Sequence, residues 1–420
     1  MNKDRDSSRL SCQFPHLLNF PYIESVMLRL LTAGESHGRA LVGIIEGVPS
    51  NMELSAGYID RQLFRRQQGY GRGGRMKIET DKVEILTGVR HGKTLGSPIS
   101  LVIWNRDFEN WEDKMAVEAV LKEIEKVVIA RPGHADLVGK YKYFFDDIRN
   151  VIERASARET AMRVALSAVA RKLLSDLGIK IGSHVFSIGT ASYKDRDSID
   201  SVLLGILGRK NGAEGVSDEA DKSEVRCLDE NVASKMVQQI KRAKKSGDTL
   251  GGVVEVYVTG LPIGLGSYVE FDRKIDGQLA QAMMSIQAIK GVEIGEGFEN
   301  AGKFGSEVHD EILLRNRKIV RLTNRAGGLE GGVTNGQPLW IRAAMKPIST
   351  LMKPLRSVDL SKMKPAEARR ERSDFCAVPA AGVVAENVVA PVLANAVLEK
   401  FGGDSMGELK QRFAQEAFFG

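Results

Sequence analysis

Short apolar runs at 28–31 and 40–46 predict two strands, and Gly47-Val48-Pro49 ends the second. The period then changes: 56–66 shows helical spacing through Ile59 and Leu63. Strand-like runs return near 83–86 and at 99–104, and 117–128 predicts a helix. The best helix start in the chain is Ser156, an N-cap candidate with Glu159 three residues on, the pattern of a capping box. Met162, Ala165, Leu166, Val169 and Leu173 supply its apolar stripe, and Gly178 closes it. A strand at 179–188 follows.

Residues 190–249 are charged and irregular with one helix near 232–245, which predicts a surface insertion with little chemistry. The alternating run 253–259 ends in Gly260-Leu261-Pro262, echoing Gly47-Val48-Pro49. Both are followed by a helix rich in Asp, Gln and Leu, so a weak internal duplication is expected, with the second helix running 275–289. The glycine-rich stretch 324–336 predicts a loop where backbone approaches something. A strand at 338–344 and a helix at 386–401 complete the pattern. Strands and helices mix without regular βαβ spacing, so we expect one large layered α+β domain over 27–420.

Composition narrows this little: 420 residues, 43% hydrophobic and 27% charged, are ordinary for a globular chain. Residues 1–26 mix charges of both signs without an apolar core and do not read as a signal peptide. They are expected to be a disordered extension or a mis-assigned start. No apolar run is expected to reach transmembrane length: the closest approach, 377–397, carries Glu386, Asn387, Asn395 and two prolines, and reads as a buried turn and helix. Cys12, Cys227 and Cys376 are scattered and odd in number, which makes a reducing cytoplasm the default. The net charge of +6 is localised, with nine Lys/Arg against three Asp/Glu over 340–372, and that points to an anionic ligand.

Candidate chemistry lies in the irregular segments. Arg65-Arg66-Gln67-Gln68-Gly69-Tyr70-Gly71-Arg72-Gly73-Gly74-Arg75-Met76-Lys77 holds five cations, four glycines and no acid. Such a loop is compatible with plain surface, a small phosphorylated ligand or a nucleic acid. His37, in Gly34-Glu35-Ser36-His37-Gly38, and His134, in Arg131-Pro132-Gly133-His134-Ala135-Asp136, sit on broken backbone and suit general acid work. Arg154, Ser156 and Arg158 surround the capped helix start, an anion site in principle. Lys346-Pro347-Ile348-Ser349-Thr350 offers a cation and two hydroxyls; Arg372 and Asp374 either pair together or present Asp374 as a base near a cofactor. No His/Cys/Asp set has metal spacing, so no protein-bound metal is expected. A nucleic-acid site would interleave aromatics with the cations. These loops carry almost none beyond Tyr70, which favours a compact phosphorylated substrate with a phosphorylated cofactor.

At these motifs the chain resembles the chorismate synthase family of the bacterial type. The likeness spans Met27 to about Phe401 and adds Glu153-Arg154-Ala155-Ser156-Ala157-Arg158-Glu159-Thr160 and Val378-Pro379-Ala380-Ala381 to the motifs above. Phe375 stands where the family usually has a smaller residue, and residues 1–26 have no counterpart.

The resemblance implies a β-α-β sandwich, assembled as a homotetramer. It implies a carbon–oxygen lyase that eliminates phosphate from 5-enolpyruvylshikimate 3-phosphate to give chorismate, the last common step of the shikimate pathway to aromatic amino acids. Reduced FMN is required without net redox change, and NADPH or an external flavin reductase is a candidate source of reduction. His37 resembles the acid nearest the leaving phosphate, His134 the one beside the flavin N1–C2 edge, and Asp374 the group passing a proton from flavin N5. FMN contacts would fall on Arg154, Ala155, Ser156, Gln287, Ala288, Gly331, Lys346, Pro347, Ile348, Ser349, Thr350 and Arg372. Substrate contacts would fall on Ser36, Arg131 and Arg158. Arg66 and Arg72 match positions for either substrate phosphate or NADPH. Neither nucleic acid nor membrane is an expected partner. A flavin oxidoreductase is a second reading, although no Gly-x-Gly-x-x-Gly after a strand is evident; an RNA-binding protein is a third.

Overall fold

A computed structural model describes residues 28–73, 79–194, 197–370 and 373–416. The expectations for 1–26, for 74–77 of the Arg/Gly loop and for Arg372 lie outside the described residues.

Strands β1 (Arg29–Ala33), β2 (Ala40–Glu46), β3 (Glu84–Ile85) and β4 (Ile99–Trp104) make one antiparallel sheet, in the order β1-β2-β4-β3. Strands β5 (Lys180–Ile188), β6 (Ala191–Ser192), β7 (Gly252–Thr259), β8 (Ile289–Ile294) and β9 (Leu339–Met345) make a second, β8-β9-β7-β5-β6, also antiparallel. The helices used below are α1 (Ala56–Gln67), α2 (Asp136–Tyr143), α3 (Arg149–Ala155), α4 (Glu159–Asp176), α5 (Asp197–Leu207), α6 (Gly212–Ala220), α7 (Glu230–Ser246), α8 (Ile275–Met284) and α9 (Val378–Phe401).

Helices α4 and α9 pack on each other between the sheets, α4 against β2 and α9 against β5 and β7. This is the expected β-α-β sandwich. Both helices are buried along most of their length, as helices covered on two sides must be. At Gly43 on β2 an added Cβ would meet Met162 Sδ at 2.6 Å, so the missing side chain lets strand and helix approach. Helix α9 is long and apolar enough to cross a membrane, contrary to the reading from sequence. Its most apolar 18-residue stretch is 83% buried within the sandwich, and the helix starts at Val378 rather than Glu386.

The internal duplication is present. The series β1-β2-α1-β3-β4-α4 recurs as β5-β7-α8-β8-β9-α9, and the core strands of the two sheets follow the same order. Small hairpins match as well, the first being Val89–Arg90 against Lys93–Thr94. Thr94 Oγ1 donates to Pro49 O (2.6 Å) and accepts from Met52 N (3.0 Å). Thr334 Oγ1 donates to Pro262 O (2.7 Å) and accepts from Leu265 N (2.8 Å). The glycine-rich stretch is therefore no open loop. It holds the second hairpin, Leu329–Glu330 against Val333–Thr334, turned by Gly331 and Gly332 at φ +61° and +86°.

Three other expectations fail. Residues 190–249 are no surface insertion: they form α5, α6 and α7, whose Ile199, Leu203, Val216, Met236 and Ile240 are buried in the main core. Charge on their outer faces masked that burial. Residues 117–128 form no helix. Val117 and Leu121 are fully exposed there, and an apolar stripe with nothing to pack on gives a short helix no stability. Helix α8 stops at Met284, not Ile289, because the turn 285–288 intervenes with Ala288 at φ +69°.

Candidate active site

The irregular connections of both copies converge on one cavity of about 460 Å³. The β1–β2 turn contributes Ser36 and His37, and the segment before α2 contributes Arg131, Gly133 and His134. The α3–α4 junction brings Ala155, Ser156 and Arg158; the α8–β8 turn brings Gln287 and Ala288. Lys346, Ile348, Ser349 and Thr350 follow β9, and Arg66, Arg72 and Asp374 complete the walls. Motifs more than 300 residues apart in the chain thus share one surface, as their common chemistry suggested.

Each histidine is backed by a buried carboxylate that the sequence reading overlooked. His37 Nδ1 lies 2.9 and 3.0 Å from the two Glu153 oxygens, and its ring stacks on Trp111 at 3.9 Å. Burial works most strongly against Glu153 ionising. The bonds from His37, helped by Arg149, outweigh it and hold the carboxyl below its usual range. His134 Nδ1 bonds the Asp136 carboxylate, which also accepts from Arg131 N and Nε, both at 2.9 Å. Burial again opposes ionisation of Asp136, and the His134 and Arg131 bonds carry it well below the usual range. Arg131 reaches on to Thr350 Oγ1 at 3.1 Å, tying the segment before α2 to the run after β9. Glu153 and Asp136 both lay inside motifs already picked out. Their acidity was visible, and their spatial role was not.

The arginines are held the same way. Arg66 and Arg158 share Asp81, at 3.4 and 2.5 Å. Arg158 also bonds Asn105 Oδ1 at 2.8 Å, and Arg66 bonds Thr160 Oγ1 at 2.9 Å. Burial pushes the Arg66 guanidinium down to about 10. Asp81 works against that, and Arg72 and Arg158 add to it. Arg72 pairs with Asp374 at 2.9 Å, and Gly73 N donates to the same carboxylate at 2.6 Å. Asp374 therefore clasps the start of the Arg/Gly loop. Phe375 supports the clasp through its backbone N, which donates to Gly71 O at 2.8 Å, so the larger side chain leaves the contact intact.

Some predicted residues fall elsewhere. The Arg154 guanidinium bonds Thr32 O (3.0 Å) and Gly34 O (3.1 Å), bracing the β1–β2 turn from outside the cavity. Gly331 sits in its hairpin turn, and Pro347 shapes the chain without lining the cavity. There is no capping box. Ser156 ends α3, and its Oγ accepts from Arg158 N at 3.2 Å, while the Glu159 carboxylate reaches Thr32 and Gln287. The sequence pattern missed α3; Ser156 caps its C-terminus, and the N-cap of α4 is Arg158. Among the described residues, no cluster of three or more His, Cys, Asp or Glu could hold a metal.

Comparison with known proteins agrees with this arrangement. Residues 28–398 match the family model described as chorismate synthase. The chain is 58% identical over 388 residues to a chorismate synthase of Chlorobaculum tepidum, covering 92% of this chain and 96% of that one. It is 54% identical over 387 residues to one from Alkaliphilus metalliredigens, with 92% and 98% covered. A crystal structure of chorismate synthase superposes with a TM-score of 0.74 at 44% identity, covering 93% of this chain and 98% of that one. Two histidines, four arginines and a hydroxyl-bearing loop around one cavity, with a match over nearly the whole chain, place this protein in the chorismate synthase family.

Proposed function

We propose that this chain converts 5-enolpyruvylshikimate 3-phosphate to chorismate by anti-1,4-elimination of phosphate, with reduced FMN and no net redox change. The observation that carries the reading is the convergence of His37, His134, Arg66, Arg72, Arg131 and Arg158 on a single cavity. A phosphorylated dicarboxylate needs several cations. A leaving phosphate needs a proton donor beside them.

The residues present fit FMN. Gln287 Oε1 is buried at the cavity wall without a hydrogen-bond partner, an acceptor waiting for a ligand donor. Lys346, Ser349 and Thr350 offer a cation and hydroxyls suited to the phosphate tail, and Ala155, Ser156, Ala288 and Ile348 offer backbone and small side chains for close approach. When bound, reduced FMN supplies an electron-rich ring that assists loss of the allylic phosphate and of the C6 hydrogen. The chain supplies the rest. Arg66, Arg72, Arg131 and Arg158 hold the anionic groups, and Ser36 adds a hydroxyl. His37 delivers a proton to the departing phosphate, His134 provides a donor at the ring edge, and Asp374 relays a proton. Arg66 and Arg72 are also candidates for an NADPH phosphate.

The outer face of the first sheet supports a homotetramer. Leu31, Val42, Ile44 and Trp104 lie side by side there and are exposed, a contiguous apolar face that another copy can cover. Buried free thiols at Cys227 and Cys376 suit a cytoplasmic setting.

An anaerobic assay tests the function: protein, dithionite-reduced FMN and the enolpyruvyl substrate, followed by chorismate absorbance. Product formation is expected, and its absence with fully reduced flavin rejects the proposal. Repeating the assay with oxidised FMN and NADPH separates self-reduction from dependence on an external reductase. His37→Ala and His134→Ala should each lower kcat at least ~10-fold with FMN still bound; near-wild-type turnover in both would remove the acid role.

A further inference from the structure

We infer that Glu153, given the elimination proposed above, is a positioning residue that sets the tautomer and orientation in which His37 meets the cavity. His37 sits in the short turn between β1 and β2, which by itself would leave the ring several rotamers. Glu153, on α3 and 116 residues away, engages that turn at four points. Its backbone O accepts from Ser36 N at 3.0 Å, and its Oε2 accepts from His37 N at 2.7 Å. Both carboxylate oxygens lie within 3.0 Å of His37 Nδ1. The Glu153 side chain is 1% exposed, so water does not compete for it. Trp111 closes one face of the imidazole, with an interplanar angle of 21°.

The chemistry follows from the donor inventory. An ionised carboxylate only accepts, so the Nδ1 facing it carries the hydrogen. Nε2 is then the ring position for proton transfer to and from a ligand. The charged groups around the pair are consistent with an ionised Glu153. Arg149 on α3 lies 3.4 Å from it, Lys114 lies 5.1 Å above the Trp111 ring, and Arg158 and Arg131 face the same cavity. Two other acids lie nearby: Glu35, in the turn itself, folds its carboxylate back toward Gly38, and Asp107 accepts from Trp111 Nε1 at 3.2 Å.

Glu153→Gln separates positioning from plain turn support. The amide oxygen can keep the bond from His37 N. The amide NH2 then takes the place of Oε1, 3.0 Å from Nδ1, where a hydrogen on Nδ1 would oppose it, so the hydrogen is expected on Nε2. Imidazole 15N spectra of the full-length protein at alkaline pH read the tautomer directly, with His37→Asn identifying the signal. We expect Nδ1–H in the wild type and Nε2–H in Glu153→Gln. We also expect kcat to fall about 100-fold, the lower end of what a positioned general acid contributes, with KM for the enolpyruvyl substrate changed less than about 2-fold. Glu153→Asp keeps a carboxylate and should retain the Nδ1–H form and recover part of kcat. A wild-type ring carrying its hydrogen on Nε2 overturns the inference without any variant. So does an unchanged tautomer or unchanged kcat in Glu153→Gln; should that variant not fold, loss of the Nδ1–H form in Glu153→Asp with kcat intact does the same. Absence of chorismate from the wild type would reject the proposed function instead, and the spectra would still judge the role of Glu153.

Discussion

Glu386 lies in the middle of α9 with its side chain fully buried, and three arginines surround it. Arg65 donates to it at 2.8 and 3.0 Å, Arg171 at 2.5 Å and Arg226 at 3.1 Å, while Ser183 and Ser217 add hydroxyls at 2.9 and 3.1 Å. Asp221 is the other acid present, pairing with Arg65 at 2.5 Å and Arg226 at 2.8 Å. Glu386→Gln keeps the shape and removes one charge, leaving three guanidiniums against one carboxylate. Breaking a buried pair from one side costs about 3–5 kcal/mol. At about 2.1 cal/mol/K per residue, the 420-residue chain unfolds with an entropy of about 0.9 kcal/mol/K, so Tm should drop about 3–6 °C. Differential scanning calorimetry at pH 7 measures this. The pH dependence provides a second check. Burial works against ionisation of Glu386, but Arg65, Arg171 and Arg226 together hold its carboxyl well below the usual range. A depressed carboxyl stabilises the fold above its unfolded value of ~4.3 and loses that contribution as pH falls through the folded value. The Tm gap between wild type and variant should therefore be full at pH 7 and narrow below about pH 4. A gap under about 1 °C at pH 7, or one that widens on acidification, would refute the reasoning.

Gly182→Ala places a Cβ 1.8 Å from Ala213 O, a backbone atom of α6 that cannot swing away; calorimetry should show a loss of about 1–3 kcal/mol, and an unchanged Tm would contradict that approach. Thr94→Val and Thr334→Val each delete one donor and one acceptor at equivalent places. Urea unfolding should find each destabilised by about 1–3 kcal/mol, and a neutral result at either site would break the equivalence of the hairpins. Protease nicking near Gly69–Gly74 is expected in the apo protein, with protection once flavin and substrate bind; equal cleavage in both states would return this loop to plain surface.

The cavity was legible in the sequence because its walls are made where regular structure breaks. Gly34 to Gly38, Arg131 to Asp136 and Lys346 to Thr350 announce themselves by glycine, proline and charge within a few residues. What supports them was not legible. Glu153 and His37, or Asp81 and Arg158, are partners brought together by packing, and no local pattern marks an acid as the one that turns inward. The same limit explains α5 to α7, where outward charges hid an inward apolar face. It also explains 117–128, whose helical spacing had no surface to meet. The capping box failed differently: Ser156 and Glu159 had the right spacing, but Ser156 closes α3 and α4 starts two residues later than a Ser156 cap requires.

The repeated halves of the sandwich place like connections opposite one another. The stretch from α1 to β3 brings Arg72, and its counterpart from α8 to β8 brings Gln287 and Ala288. The stretch from β4 to α4 carries Arg131, His134 and Ser156; that from β9 to α9 carries Lys346, Thr350 and Asp374. A strictly symmetric ancestor would have offered two identical half-sites. In this chain the six-residue turn bearing His37 answers to an excursion of three helices between β5 and β7. The two walls of the cavity are thus made unlike by divergent loops, while the strands beneath them keep one order.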